Sequence, residues 1–483
     1  MDSVTGSSVG AAVDQPVVGP RLRHPLTIIS ALVVLLFVVV VSGLLISRSR
    51  LESLSFPESS LALVVGRSMD IRFVVDRQAG WERKLSELLM DERTSELAQA
   101  IEWYEEMVSL TRDAGVELQL AVLEGEAGRR ERLREKLDGW EVRPDPYPAM
   151  ASVVSAAYLD DARDVPDDAV EQMPADGHPW FGEQLALRQA QRRGDQAQVA
   201  EIEDERRQRT APLQRRVRTL AMLEVGILGA SAVAAASLLT SRRGMRLADA
   251  PIPPPWSGRL GAIVLIRGAA LQVLLLGGLY VVSHLADSAV LDALTWPWSN
   301  LFFLPMLLLA RHHLMRPAGY RFREAVGLSV GAAGPRRVFV IVITLVGLGL
   351  AGDWAASSFA GRFGKSSHWT EWFDEDLVWG DGADAALALL SAVVAAPFFE
   401  EVIFRGLLFA TFRRRFGLVV SAFASALIFA AAHGYGWIGL VSVLWSGALW
   451  AWSYERTRSI VPGMLAHAIV NLLATLSVLL LLR

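Results

Sequence analysis

The sequence predicts an all-α protein: a polytopic membrane helical bundle of about nine spans with a soluble helical domain inserted after the first span. Three observations predict it. Of 483 residues, 52% are hydrophobic and only 20% charged, and the mean hydropathy is +0.33, too apolar for the roughly three soluble domains this length would otherwise hold. Apolar runs that approach or exceed the roughly 20 residues needed to cross a bilayer recur along the chain. Arginines and acidic residues alternate between the short loops that separate those runs.

Residues 1–24 read as a disordered tail. The first apolar run, Leu26 to Ile46, sits within a span assigned to residues 25–47 and is flanked by Arg21, Arg23, Arg48 and Arg50. Its apolar core exceeds that of a secretory signal and no small-residue cleavage site follows, so it reads as an uncleaved signal anchor. Residues 50–215 form a polar stretch rich in the helix formers Ala, Leu, Glu, Arg and Gln. Apolar residues recur at helical spacing from Trp81 to Val108 and from Leu118 to Leu137. Helix pairs with glycine at the turn are expected around Gly128 and Gly194. The period is too irregular for a tetratricopeptide-like repeat, and the stretch reads as a solvated helical domain able to contact a protein partner. Further runs at 219–240, 260–284, 297–310 and 338–354 supply the bundle helices of residues 219–384. Runs at 385–411, 417–434, 436–454 and 459–482 fill a core region of residues 385–483.

Loop charge sets the orientation, because Lys and Arg concentrate on the cytoplasmic side of short loops. With the N-terminus inside, the inner loops hold Arg242, Arg243 and Arg246; Arg311, Arg316, Arg321 and Arg323; Arg413, Arg414 and Arg415; and Arg456 and Arg458. The outer loops are acidic, with Asp287 and Asp292 in one and Glu371, Asp374, Glu375, Asp376 and Asp381 in the other. Trp296, Trp298, Trp369, Trp372 and Trp379 fit an outer aromatic belt. The same alternation puts residues 50–215 on the extracytoplasmic side; Arg215, Arg216 and Arg218, just before the second span, pull weakly the other way. The expected location is an integral membrane protein of a bacterial plasma membrane.

Composition also excludes chemistry. The chain has no cysteine, which removes disulfides, thiol nucleophiles and thiolate zinc sites together. Acidic and basic totals of 51 and 47 nearly cancel to −4, so no basic surface calls for nucleic acid. Lysine occurs only at 84, 136 and 365.

Ionisable residues inside spans are costly and mark function by default. Arg267 lies about two turns past Arg259, within snorkelling reach of the interface. His284, His312 and His313 sit at span ends; His24, His178 and His368 sit in polar segments. What remains is a cluster in the last hundred residues: Glu400, Glu401, Arg405, His433, His467 and Asn471. Glu401 and Arg405 are four apart on one helix face and can pair. Glu400 then points elsewhere, unpaired, where desolvation raises a carboxylate toward the range of a general base. His467 and Asn471 share a face, both able to donate hydrogen bonds inward. A rise of 1.5 Å per residue puts Glu400 about 20 Å, His467 about 14 Å and His433 about 26 Å above the inner arginines. Tilt must close that spread if the three are to meet.

In order, Glu400-Glu401-x-x-x-Arg405, Phe429-x-x-x-His433 and His467-x-x-x-Asn471 resemble the signatures of the CPBP family of CAAX proteases and bacteriocin-processing (Abi) proteins. The resemblance covers roughly residues 385–480. It implies an intramembrane endopeptidase in which Glu400, helped by His433, activates a water, His467 and Asn471 stabilise the oxyanion, and Glu401 and Arg405 brace the site. Such chemistry needs a base for the water and donors aimed at the developing charge. The same residues admit a zinc reading, with Glu400, His433 and His467 as ligands and water in the fourth position. The metal-free version is favoured, because Asn471 is a better oxyanion donor than zinc ligand. The expected partners are a peptide or membrane-protein substrate and the lipid bilayer. Two rivals are a non-catalytic family member acting as a scaffold or immunity factor, and a proton-coupled transporter. The transporter would carry inverted repeats, and the two halves of the bundle show none.

Overall fold

The computed structural model describes residues 24–47, 49–89, 96–159, 177–241, 244–286, 299–331 and 334–483. The predicted tail up to residue 23, the loop arginines Arg242 and Arg243, and the loop with Asp287, Asp292, Trp296 and Trp298 lie outside the described residues, as does the side chain of His284. Among the described residues the secondary structure is helical and no strand occurs.

Helix α1 (His24–Ser47) carries a 24-residue apolar stretch. The polar domain follows with α2 (Pro57–Asp76), α3 (Gly80–Leu89), α4 (Glu96–Leu110), α5 (Ala114–Glu126), α6 (Arg130–Glu141), α7 (Tyr147–Tyr158) and α8 (Trp180–Arg193). The expected glycine turns separate α5 from α6 and α8 from the next helix. Gly128 and Gly194 adopt left-handed backbones, φ 69° and 72°, which L side chains reach only at a cost. The Asp195 carboxylate accepts the Ala197 and Gln198 N–H groups and starts α9 (Gln196–Thr240), 45 residues long. At 1.5 Å per residue this helix is about 68 Å long, so the second span and the last helix of the polar domain are one rod, with no break at the boundary expected near residue 215.

The bundle continues with α10 (Gly258–Ala286), α11 (Leu304–Ala310), α12 (Phe322–Val326), α13 (Pro335–Gly361), α14 (Glu375–Val378), α15 (Gly382–Phe412), α16 (Leu418–Ala431), α17 (Trp437–Thr457) and α18 (Val461–Leu482). Among the described residues six helices are long and apolar enough to cross a membrane: α1, α9, α10, α13, α15 and α18. The other predicted spans correspond to α11, which runs on as a π-turn through Met315, to the shorter apolar α16, and to α17, whose face is interrupted by polar residues.

α1 rides on the outside of the bundle. No residue of its apolar window is buried within the protein, yet it packs along α10, where Thr27 Oγ1 accepts from Arg267 Nε at 3.1 Å and Nη2 at 3.0 Å. Arg267 therefore bonds to a neighbouring helix rather than only reaching for the interface. One apolar core joins α10, α11, α13, α15, α16 and α17 around Phe399, Leu407, Phe429 and Trp450. A second core fills the polar domain, and it takes in Trp369, Phe373, Leu377 and Val378 from the loop before α15 and Val478 and Leu482 from the end of α18. The polar domain is thus packed onto the bundle by shared apolar burial, the dominant favourable term in such contacts. At the opposite end Arg413 pairs with Glu455 at 3.0 Å, tying α15 to α17.

Candidate active site

α15 is irregular where the chemistry-bearing residues sit. It opens with a capping box, Asp381 accepting from the Asp384 N–H and Asp384 from the Asp381 N–H, and contains π-helical turns at Ser391–Ala395 and Glu401–Phe409. Such turns are rare and concentrate at functional sites. Pro397 explains the first. The Ala396 N–H reaches back five residues to the Ser391 carbonyl. In that register the Ala392 carbonyl needs the N–H of residue 397, and proline has none. α18 supplies the missing donor, because Asn471 Nδ2 donates to the Ala392 oxygen at 2.8 Å.

The second π-turn presents the paired carboxylates. Glu401 Oε1 accepts from Arg405 Nη1 at 2.8 Å, and both side chains are 1% exposed. The guanidinium also lies over the Phe429 and Trp450 rings, 4.3 Å and 5.0 Å from their centroids. Gly447 on α17 gives it room: a Cβ there would lie 2.9 Å from Arg405 Nη2. Glu400 faces a different way. Its side chain is 18% exposed and its Oε2 lies 3.7 Å from His467 Nε2, while making no hydrogen bond within the protein.

His467 on α18 stands between the two carboxylates, with Nδ1 3.4 Å from Glu401 Oε1 and Nε2 toward Glu400. Trp450 stacks on one side of its ring and the edge of Phe429 meets it from another direction. His433 closes the C-terminal turn of α16. Its Nδ1 lies 2.8 Å from the Phe429 carbonyl oxygen, which can only accept, so Nδ1 carries a proton and Nε2 is the nitrogen left for a further partner. The His433 ring rests on the same Phe429 ring, centroids 4.7 Å apart, as His467 does at 6.0 Å. Side chains from α15, α16 and α18 therefore converge around one buried phenylalanine.

Several site residues carried no distinguishing signal in the sequence. Trp450 is one tryptophan among 15. Tyr435, between Gly434 and Gly436, places its ring 5.4 Å from His433; burial, and the Glu400 and Glu371 carboxylates, raise its phenol above the ordinary value. Glu371 reads in sequence as one acidic loop residue of several. Here it is 7% exposed and paired with Arg50 at 3.1 Å. As for zinc, no group of three or more His, Asp or Glu among the described residues is arranged to share an ion.

A carboxylate pair, an arginine and two histidines thus lie close together on three apolar helices. Residues 382–473 match the model of the family described as Type II CAAX prenyl endopeptidase Rce1-like. The matched region is similar to that family of CAAX proteases, and it contains all six of the residues singled out from the sequence. With its apolar helices, the chain is an integral membrane protein. No curated protein and no solved structure matches it.

Proposed function

We propose that the chain is an intramembrane endopeptidase that hydrolyses a peptide bond near the C-terminus or the membrane-proximal part of a peptide or membrane-protein substrate. One observation carries the reading. Arg405 pairs with Glu401 through Oε1, and the second oxygen of each glutamate is left unbonded, that of Glu400 beside an imidazole in a largely buried site. Glu400 acts as the general base that takes a proton from the attacking water. His433, through Nε2, helps orient that water or relay the proton. His467 and the second N–H of Asn471 stabilise the oxyanion that develops on the scissile carbonyl. Glu401 and Arg405 brace the site. No metal is needed for this chemistry.

The reading takes α11, α16 and α17 as further crossings, making about nine, and sets the polar domain on the extracytoplasmic side of a bacterial plasma membrane, where a protein partner can reach it. The experiment is cleavage of membrane-anchored reporter peptides by the purified full-length protein. Glu400→Gln should lower turnover at least about 100-fold, as expected for loss of a general base, while the protein still inserts and folds. Unchanged activity in Glu400→Gln defeats the assignment, and loss of wild-type activity to a strong chelator defeats the metal-free mechanism.

A further inference from the structure

The segment that carries His433 is held from outside the bundle. Between α16 and α17 the chain has a short link, Gly434-Tyr435-Gly436, with Gly434 at φ 66°. Both ends of that link are bonded to residues far away in sequence. Arg50 Nη2 donates to the Gly434 carbonyl oxygen at 2.8 Å, and Glu371 Oε1 accepts from the Gly436 N–H at 3.0 Å. Arg50 and Glu371 pair with each other at 3.1 Å. The fit is close, since a Cβ on Gly436 or on Gly439 would lie 2.8 Å from a Glu371 carboxylate oxygen. Glu371 therefore sits against the first turn of α17, where unpaired N–H groups and the helix dipole favour a negative charge.

Both arms of this clamp lead to one carboxylate of the polar domain. Ser49 caps the turn that begins at Arg50, its hydroxyl accepting from the Leu51 N–H, and donates to Glu106 Oε1 on α4 at 2.6 Å. The other oxygen of Glu106 lies 3.2 Å from His368 Nε2. His368 in turn caps the 3-10 turn Trp369–Glu371, with its ring accepting from the Thr370 N–H. Trp369 and Phe373 from the same loop are buried in the polar domain's core. One acidic side chain in the polar domain thus fixes the positions of the residues that grip the His433 link.

We propose that Arg50 and Glu371 are positioning residues for His433, and that Glu106 couples the polar domain to them. This rests on the hydrolase reading for its catalytic consequence but not for its structural one. A rearrangement of α4, such as a bound partner would impose, loosens Ser49 and His368 together and frees the link beside the site. Losing one charge-assisted contact of this kind removes a substantial share of the local stability that keeps the link closed.

The test is hydrogen–deuterium exchange across residues 433–440 of the full-length protein in detergent, together with kcat and KM on a cleaved reporter. Glu106→Gln, which keeps the side chain's length but not its charge, and Arg50→Lys, which keeps the charge but loses the guanidinium fork, should each raise exchange in this segment about tenfold and lower kcat about tenfold with KM unchanged. Glu400→Gln should lower turnover at least about 100-fold and leave exchange in the segment as it is. Unchanged exchange in both clamp variants overturns the coupling, and faster exchange with unchanged kcat overturns the positioning role. If the wild-type protein cleaves no reporter, the hydrolase reading fails on its own, and exchange still decides whether Glu106 controls the link.

Discussion

The Trp450 indole lies nearly parallel to the His467 imidazole, ring centroids 4.2 Å apart and planes 19° apart. The stack fixes the plane of the histidine, and with it the direction of both ring nitrogens toward Glu400 and Glu401. The same indole faces the Arg405 guanidinium, so Trp450 serves the carboxylate pair and the histidine at once. Trp450→Ala is expected to destabilise the protein by about 3–5 kcal/mol, the usual cost of emptying a buried aromatic site. Trp450→Phe should cost less and retain part of the activity, because an aromatic face remains. Thermal unfolding in detergent, alongside reporter cleavage, checks both; equal losses for the two variants would show that the stack is unimportant.

Glu401 and Arg405 form a buried pair with 1% exposure on each side. Removing one partner strands the other charge, so Glu401→Gln or Arg405→Met alone should cost about 3–5 kcal/mol. Removing both should cost less than the sum. A double-mutant cycle on unfolding free energy measures the difference, and strict additivity would contradict the pairing.

Asn471 and Pro397 are linked through a carbonyl neither of them owns. Asn471→Ala leaves the Ala392 oxygen unsatisfied and should cost about 1–3 kcal/mol. Pro397→Ala supplies an N–H in the π-turn register. The Asn471→Ala penalty should therefore shrink in a Pro397→Ala background. An undiminished penalty would mean that Asn471 does not substitute for the missing proline donor.

The polar domain carries its own pH dependence. His178 is buried beside Arg67 and Arg209, and burial first, then those cations, push its ring down to about 3. Its Nδ1 accepts from the Trp180 N–H, and its Nε2 faces Asp70 at 3.4 Å. The unfolded chain takes up the proton near the ordinary 6.5 and the folded domain does so only near 3, so stability is lost as pH falls through that window. Asp70, raised above its ordinary 3.8 chiefly by burial, works the other way in the lower part of the window. Denaturation midpoints near neutral pH and at about pH 5 should differ, with the lower stability in acid, and His178→Gln should flatten the difference. Gly66 bears on the same ring, since a Cβ there would lie 2.3 Å from His178 Cγ. Gly66→Ala should therefore lower stability as well.

The apolar runs and loop charges carried most of the fold. Lipid and backbone hydrogen bonding leave a long apolar stretch few alternatives to a helix, so α1, α10, α15 and α18 were legible within a few residues, while α13 runs seven residues past the expected end at 354. No break in local structure marks the boundary expected near residue 215, because α9 runs through it as one unbroken helix. The pairing of Glu401 with Arg405 was legible from its i, i+4 spacing alone. Which histidine would stand beside Glu400 was not, since spacing along one helix says nothing about how far helices tilt against each other; the depth estimate put Glu400 and His467 on different levels, and packing around Phe429 brought them within 3.7 Å.

By itself the sequence determined that this chain is rich in long apolar helices, that it has no thiol chemistry, and that a cluster of carboxylates, histidines and an arginine falls in the apolar helices of its last hundred residues. Those are consequences of composition and period, which act locally and additively. The tertiary structure alone decided that Trp450 orients His467, that Asn471 repairs the helix Pro397 interrupts, and that Arg50, Glu106 and Glu371 reach the His433 link from the polar domain and the loop that packs on it. Each of these joins residues far apart in the chain, and only the simultaneous packing of several helices sets distances of that kind.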